Sequence, residues 1–151
     1  MGDKVYLEDL AVGQAFTNGP VELLAEDIKA FARQFDPQPF HLDEAAAQAS
    51  LFGGLAASGW HTAALTMRLL VTGGPAFGWG FIGAGGEVSW PRPAYAGDSL
   101  TLHAEIIEIT PSRSKQDRGI ARVRLVMKNQ RDQVVQDMVA RVLVPRRPQA
   151  L

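Results

Sequence analysis

Residues 60–71 offer only two strongly polar side chains, His61 and Arg68, among Ala63, Ala64, Leu65, Met67, Leu69, Leu70 and Val71. A helix that is apolar nearly all round has to be buried, and the simplest cover is a sheet wrapped about it. The second half of the chain supplies one. Leu100, Leu102, Ala104 and Ile106 alternate with Thr101, His103 and Glu105, and the phase slips at Ile106-Ile107 as a β-bulge would make it. Residues 120–127 and 134–144 are two more runs rich in branched side chains, joined through the turn Asn129-Gln130-Arg131-Asp132. With residues 80–90 and an extended stretch over 14–24, interrupted at Asn18-Gly19-Pro20, five or six strands are expected. Strands bunched without helices between them pair antiparallel. The expected architecture is therefore α+β, one long central helix wrapped by a five- or six-stranded antiparallel sheet. A length of 151 residues suits one domain spanning residues 1–151.

Charge and composition remove several classes of function. A formal net charge of -1 gives no electrostatic case for nucleic acid or an anionic membrane as a partner. With no cysteine there is no thiolate nucleophile, disulfide or zinc-thiolate site, and three histidines without a paired carboxylate spacing give no support for a metal. The start of the chain lacks a basic region followed by an apolar one, so cytoplasmic residence is expected. Residues 69–86 form an uncharged run as long as a membrane span, but seven glycines and Pro75 make it a loop and the start of a strand. Within it, Gly78-Trp79-Gly80-Phe81-Ile82-Gly83 matches a dinucleotide fingerprint only in letters, because a helix precedes it and a strand follows.

The chemistry concentrates earlier. Ile28, Phe31, Ala32 and Phe35 follow the spacing of an amphipathic helix, with Glu26 and Asp27 in its first turn. That helix delivers Asp36, and the next residues read Asp36-Pro37-Gln38-Pro39-Phe40-His41. Each proline fixes its own φ and pushes its predecessor toward extended backbone, so an acid and a base are held on a stiff turn. An alanine-rich short helix is expected over residues 42–50, then the loop Phe52-Gly53-Gly54-Leu55. Ser58 is the candidate N-cap of the long helix.

These residues carry a specific resemblance. Residues 36–41 resemble the hydratase motif Asp-x-Asn-Pro-x-His of the MaoC-like dehydratase and (R)-specific enoyl-CoA hydratase family, with Gln38 where Asn is commonest. Phe52-Gly53-Gly54-Leu55-Ala56-Ala57-Ser58-Gly59 is similar to that family's approach to its central helix, and residues 91–100 to its turn ending in Gly-Asp. The resemblance covers residues 6–147 and implies a hot-dog fold, a homodimer or an assembly of dimers, an acyl-CoA substrate and no cofactor beyond the coenzyme A of that substrate.

Adding water to a 2-enoyl thioester requires water held at C3, a proton delivered to C2, and stabilisation of charge growing on the thioester oxygen. Asp36 and His41 together can hold and deprotonate the water, either one taking the proton. The backbone N–H of Gly59, at the positive end of the long helix, is the candidate oxyanion hole, and a glycine there would let a thioester approach closely. Gln38, Ser58 and Trp60 are candidate substrate contacts, and Arg92, Arg113 and Lys115 candidate partners for coenzyme A phosphates. Acyl depth is expected to depend on packing near Trp60, Trp79 and Trp90. His61 and His103 read as structural, and Arg118 as solvated hairpin charge. The rival readings are a hot-dog thioesterase acting on the same kind of substrate and a non-catalytic acyl-CoA binding subunit.

Overall fold

A computed structural model describes residues 3–149. After a 3-10 turn at Leu7–Asp9 the elements run β1 (Ala15–Glu22), α1 (Ala25–Phe35), α2 (Pro39–Leu42), α3 (Glu44–Gln48), α4 (Gly59–Gly73), β2 (Ile82–Ser89), β3 (Ser99–Pro111), β4 (Arg118–Lys128) and β5 (Val134–Pro145). The strands form one antiparallel sheet in the order β1-β3-β4-β5-β2. This is the hot-dog arrangement the sequence led us to expect, with five strands.

Alternation along the strands decides which face meets α4. Leu100, Leu102, Ala104 and Ile106 of β3 are buried, as are Ala121, Val123, Leu125 and Met127 of β4. The register sets Leu102 opposite Met127, Ala104 opposite Leu125 and Ile106 opposite Val123, so both strands present their apolar side chains to the same layer. The phase slip is real: the β3–β4 register shifts between Ile106 and Glu108. A second irregularity, between Asn18 and Val21 of β1, falls where Gly19-Pro20 interrupts the pattern.

Helix α4 departs from expectation in one respect. Thr62, Leu65, Thr66, Leu69 and Leu70 are buried on the sheet, but Trp60 is 60% exposed, Met67 42% and Val71 56%. With Ala64, these outward residues recur at helical spacing and make an apolar stripe down the other side. The apolar character all round was correctly read, yet five strands cover only one side of the helix within this chain.

The uncharged run over residues 69–86 is the end of α4, a loop and the first half of β2. Among the described residues no helix is long and apolar enough to cross a membrane. The Gly-x-Gly-x-x-Gly letters fall in that loop and strand, with no helix after them. Gly80 adopts φ +79, and a Cβ on Gly78 would lie 2.6 Å from the Tyr6 ring, so the glycines serve backbone conformation and close approach.

His61, on the first turn of α4, stacks on Phe31 of α1 with ring centroids 4.9 Å apart and planes 8° from parallel. Its Nδ1 is buried without a hydrogen-bond partner. Burial lowers its pKa below the ordinary 6.5, the Asp27 carboxylate opposing and Arg68 reinforcing the shift. His61 thus stays neutral in the fold and takes up a proton on unfolding, so stability falls as pH drops through the unfolded value. Thermal melts from pH 7.5 to pH 5.5 should show Tm falling in the wild type and falling less in His61→Leu; parallel curves would refute this assignment.

Candidate active site

The acid and base owe their placement to two prolines. Helix α1 ends at Phe35, and Asp36 is its C-cap, donating its N–H to the Ala32 carbonyl at 2.9 Å. Pro37 cannot extend the helix. Gln38 is extended (φ -98, ψ 143), as the residue before a proline should be, and Pro39 opens α2 as its first residue. What the sequence suggests as a stiff turn is therefore a proline-started helical turn, closed by His41 N–H to the Gln38 carbonyl at 2.9 Å. It brings His41 Nε2 to 3.3 Å from Asp36 Oδ2.

The backbone of residues 55–57 fixes the imidazole. Ala57 N–H donates to Ala94 O at 2.8 Å and Ala96 N–H to Leu55 O at 3.0 Å, a short antiparallel ladder that turns the intervening Ala56 carbonyl the other way. His41 Nδ1 meets that carbonyl at 2.7 Å. A carbonyl only accepts, so Nδ1 carries a proton and Nε2 faces the carboxylate. His41 itself is 5% exposed, with the ring of Phe40 edge-on at 4.6 Å.

Asp36 is held ionised. Burial is the largest influence on its pKa and raises it, but hydrogen bonds from the Ser58 hydroxyl and the Gln38 amide, reinforced by the neighbouring His41, outweigh that and leave the value below the ordinary 3.8. Gln38 Nε2 donates to Asp36 Oδ1 at 2.5 Å. Ser58 is 1% exposed and also caps α4, accepting from Trp60 N–H at 3.3 Å.

A cavity of about 420 Å³ opens beside His41, lined by Gln38, His41, Gly59, Thr62, Trp90 and Arg92 among others. The N–H of Gly59, first residue of α4, has no acceptor among the described residues. A second cavity, of about 310 Å³, lies at the far end of α4 among Phe16, Leu70, Phe77, Phe81 and Val123; Asp9 and Glu105 reach it, but no histidine does.

The candidates divide accordingly. Gln38, His41, Gly59 and Arg92 line the cavity; Asp36 joins them through its contacts with His41 and Gln38, and Ser58 as the cap before Gly59, neither forming part of the wall. Trp60 does not line the cavity; its ring stands edge-on to Trp90, centroids 5.2 Å apart. Trp79 lies under Arg118, away from the pair, and Arg118 is also ion-paired with Asp117. Arg113 and Lys115 occupy the turn after β3, whereas the 94–96 ladder precedes it, and a strand of 13 residues spans roughly 40 Å. Within one chain they do not reach this cavity.

Gly59 serves a different packing purpose from the one inferred. A Cβ there would lie 2.5 Å from Trp90 Cε2, so the face left open by the missing side chain is covered by an indole. The sequence reading also missed Gln136, fully buried and bonded to Trp90 Nε1 at 2.9 Å. Its one signal was a carboxamide directly after Val134-Val135 in a strand of branched residues.

His41 and the N-terminus of α4 thus share one cavity, with Asp36 held against His41 just outside its wall, and residues 9–129 match the model of the MaoC like domain. The chain belongs to the MaoC-like hydratase and dehydratase family. Its fold superposes on the crystal structure of a MaoC-like dehydratase from Rhodospirillum rubrum with a TM-score of 0.92, at 56% identity over 96% of this chain and 99% of that one. It is 33% identical to the uncharacterized protein YdeM of Bacillus subtilis, covering 93% of this chain and 99% of YdeM. It is 32% identical to a 3-hydroxybutyryl-CoA dehydratase of Methylorubrum extorquens, covering 97% and 88% respectively.

Because the Trp90 ring rests on Gly59, Gly59→Ala should overpack the helix start and cost about 1–3 kcal/mol. Urea denaturation would measure it; an unchanged midpoint would show that the indole moves aside freely.

Proposed function

We propose that this MaoC-like protein interconverts a 2-enoyl-CoA and a 3-hydroxyacyl-CoA, with Asp36 and His41 as its acid–base pair. The observation that carries the reading is the convergence of two acceptors. Nδ1 of His41 is committed as a donor to Ala56, so a neutral ring offers a lone pair at Nε2, 3.3 Å from a carboxylate oxygen. A water molecule donating one hydrogen to each satisfies both and leaves an oxygen lone pair free for attack.

In the hydration direction the water oxygen bonds to C3 while its proton passes to the pair. The C2–C3 π electrons shift toward the thioester, and the negative charge on its oxygen is met by the Gly59 N–H at the positive end of α4. The pair then returns a proton to C2. Every atom of the water ends in the product, and the reverse sequence is dehydration. No cofactor enters beyond the coenzyme A of the substrate.

Arg92, exposed at the cavity, is the proposed partner for a coenzyme A phosphate. The working unit we propose is a homodimer, since the apolar stripe on α4 and the open edge of β2 both gain from cover.

The test is loss of conjugated-enoyl absorbance on adding enoyl-CoA, with free thiol measured alongside. Wild type should consume the chromophore without releasing thiol, while Asp36→Asn and His41→Gln each lower kcat by about a hundredfold or more. Thiol release would point to a thioesterase, and unaffected mutants would remove the pair from the reaction. Arg92→Glu should raise KM for CoA substrates with kcat little changed; an unaltered KM would exclude its phosphate contact.

A further inference from the structure

Arg92 is exposed, whereas Thr62 and Val135, which line the same cavity, are 2% and 1% exposed. The cavity therefore has an outer side suited to the coenzyme A and an inner corner suited to the acyl group. Trp90 borders that corner: 39% exposed overall, it lines the cavity and sends its Nε1 end to the fully buried Gln136. Its ring lies against Gly59, next to the N–H proposed to hold the thioester oxygen, so an acyl chain running inward from that oxygen meets the indole within its first few carbons.

A partly exposed tryptophan could swing away, but this one is tied. Its Nε1–H donates to Gln136 Oε1 at 2.9 Å, Gln136 Nε2 donates to Thr66 Oγ1 at 2.7 Å, and Thr66 Oγ1 donates to the Thr62 carbonyl at 2.8 Å. The train runs in one direction only. Indole is a donor with no acceptor, so the carboxamide oxygen has to face it and the amide has to face Thr66. Gln136 and Thr66 are 0% and 1% exposed, so turning the indole would strand a buried acceptor. The train crosses from the loop before β3 to strand β5 and helix α4, gripping the ring from both layers of the fold.

We infer that Trp90 is the residue that limits the acyl group to short chains, and that Gln136 is a positioning residue acting through it. The inference rests on the cavity being the acyl-thioester site proposed above. Its chemistry is simple exclusion: the space a longer chain needs is filled by an indole tethered at its Nε1 end to the buried Gln136.

The experiment pairs turnover with binding, so that a failure of the reaction and a failure of the size limit separate. Wild type, Trp90→Ala, Trp90→Phe and Gln136→Met, each checked for folding by circular dichroism, are assayed for kcat/KM on crotonyl-CoA and 2-octenoyl-CoA. The same proteins are titrated calorimetrically with the saturated butyryl-CoA and octanoyl-CoA, which bind without reacting. Wild type should favour the shorter ester in both measurements. Trp90→Ala should shift the ratio toward the longer ester by about tenfold or more, the scale on which a pocket discriminates methylenes. Gln136→Met should move it in the same direction but less, and Trp90→Phe least, since a ring still fills the corner. A general loss of stability or activity lowers both esters together and leaves the ratio alone. An unchanged ratio in the folded variants overturns the inference, as does a wild type that favours the longer ester or binds neither. A chain-length ratio that shifts in the binding arm without any turnover would support the size limit while refuting the proposed reaction.

Discussion

The site hangs on one hydrogen bond, between His41 Nδ1 and the carbonyl of Ala56. It joins the α1–α3 segment, which carries the acid and base, to the stretch that leads into α4. The bond exists because residues 55–57 are held as extended backbone against residues 94–96, which leaves the middle carbonyl facing the opposite way. Tyr95 reinforces this from both ends, its N–H bonded to Asp98 and its hydroxyl to the Phe52 carbonyl. The Gly-Asp turn thus acts on the imidazole at a distance, through the ladder and not by contact.

Much of the site was legible because its parts are local. The apolar period of α1 sets where Asp36 emerges, the prolines set the path to His41, and a serine before a glycine marks the start of α4. Each rests on backbone preferences acting over a few residues. The strand slip at Ile107 was visible for the same reason, since alternation is a property of neighbours.

What was not legible depends on contacts between distant parts of the chain. Periodicity identifies α4 as apolar all round but cannot say how many strands will cover it, so the stripe of Trp60, Met67 and Val71 came as a correction. Gly59 was read as room for a ligand, yet the group that fills the room is Trp90, 31 positions onward. The pairing of Gln136 with Trp90 and Thr66 spans 46 and 70 positions, and no local rule joins them. Arg113 and Lys115 looked equivalent to Arg92 as free cations; only the direction of β3 separates them.

Ser58 narrows what this position can tolerate. Aspartate and asparagine cap helices about as well as serine does. Aspartate here would set a second carboxylate against Asp36, and like charges so close favour protonating one of them. Asparagine could donate an amide hydrogen, but only by presenting a larger planar group in a place that is 1% exposed. A hydroxyl accepts from the helix and donates to the acid through one atom. The beginning of the central helix and the ionisation of the acid therefore depend on the same side chain, and a replacement at position 58 has to serve both.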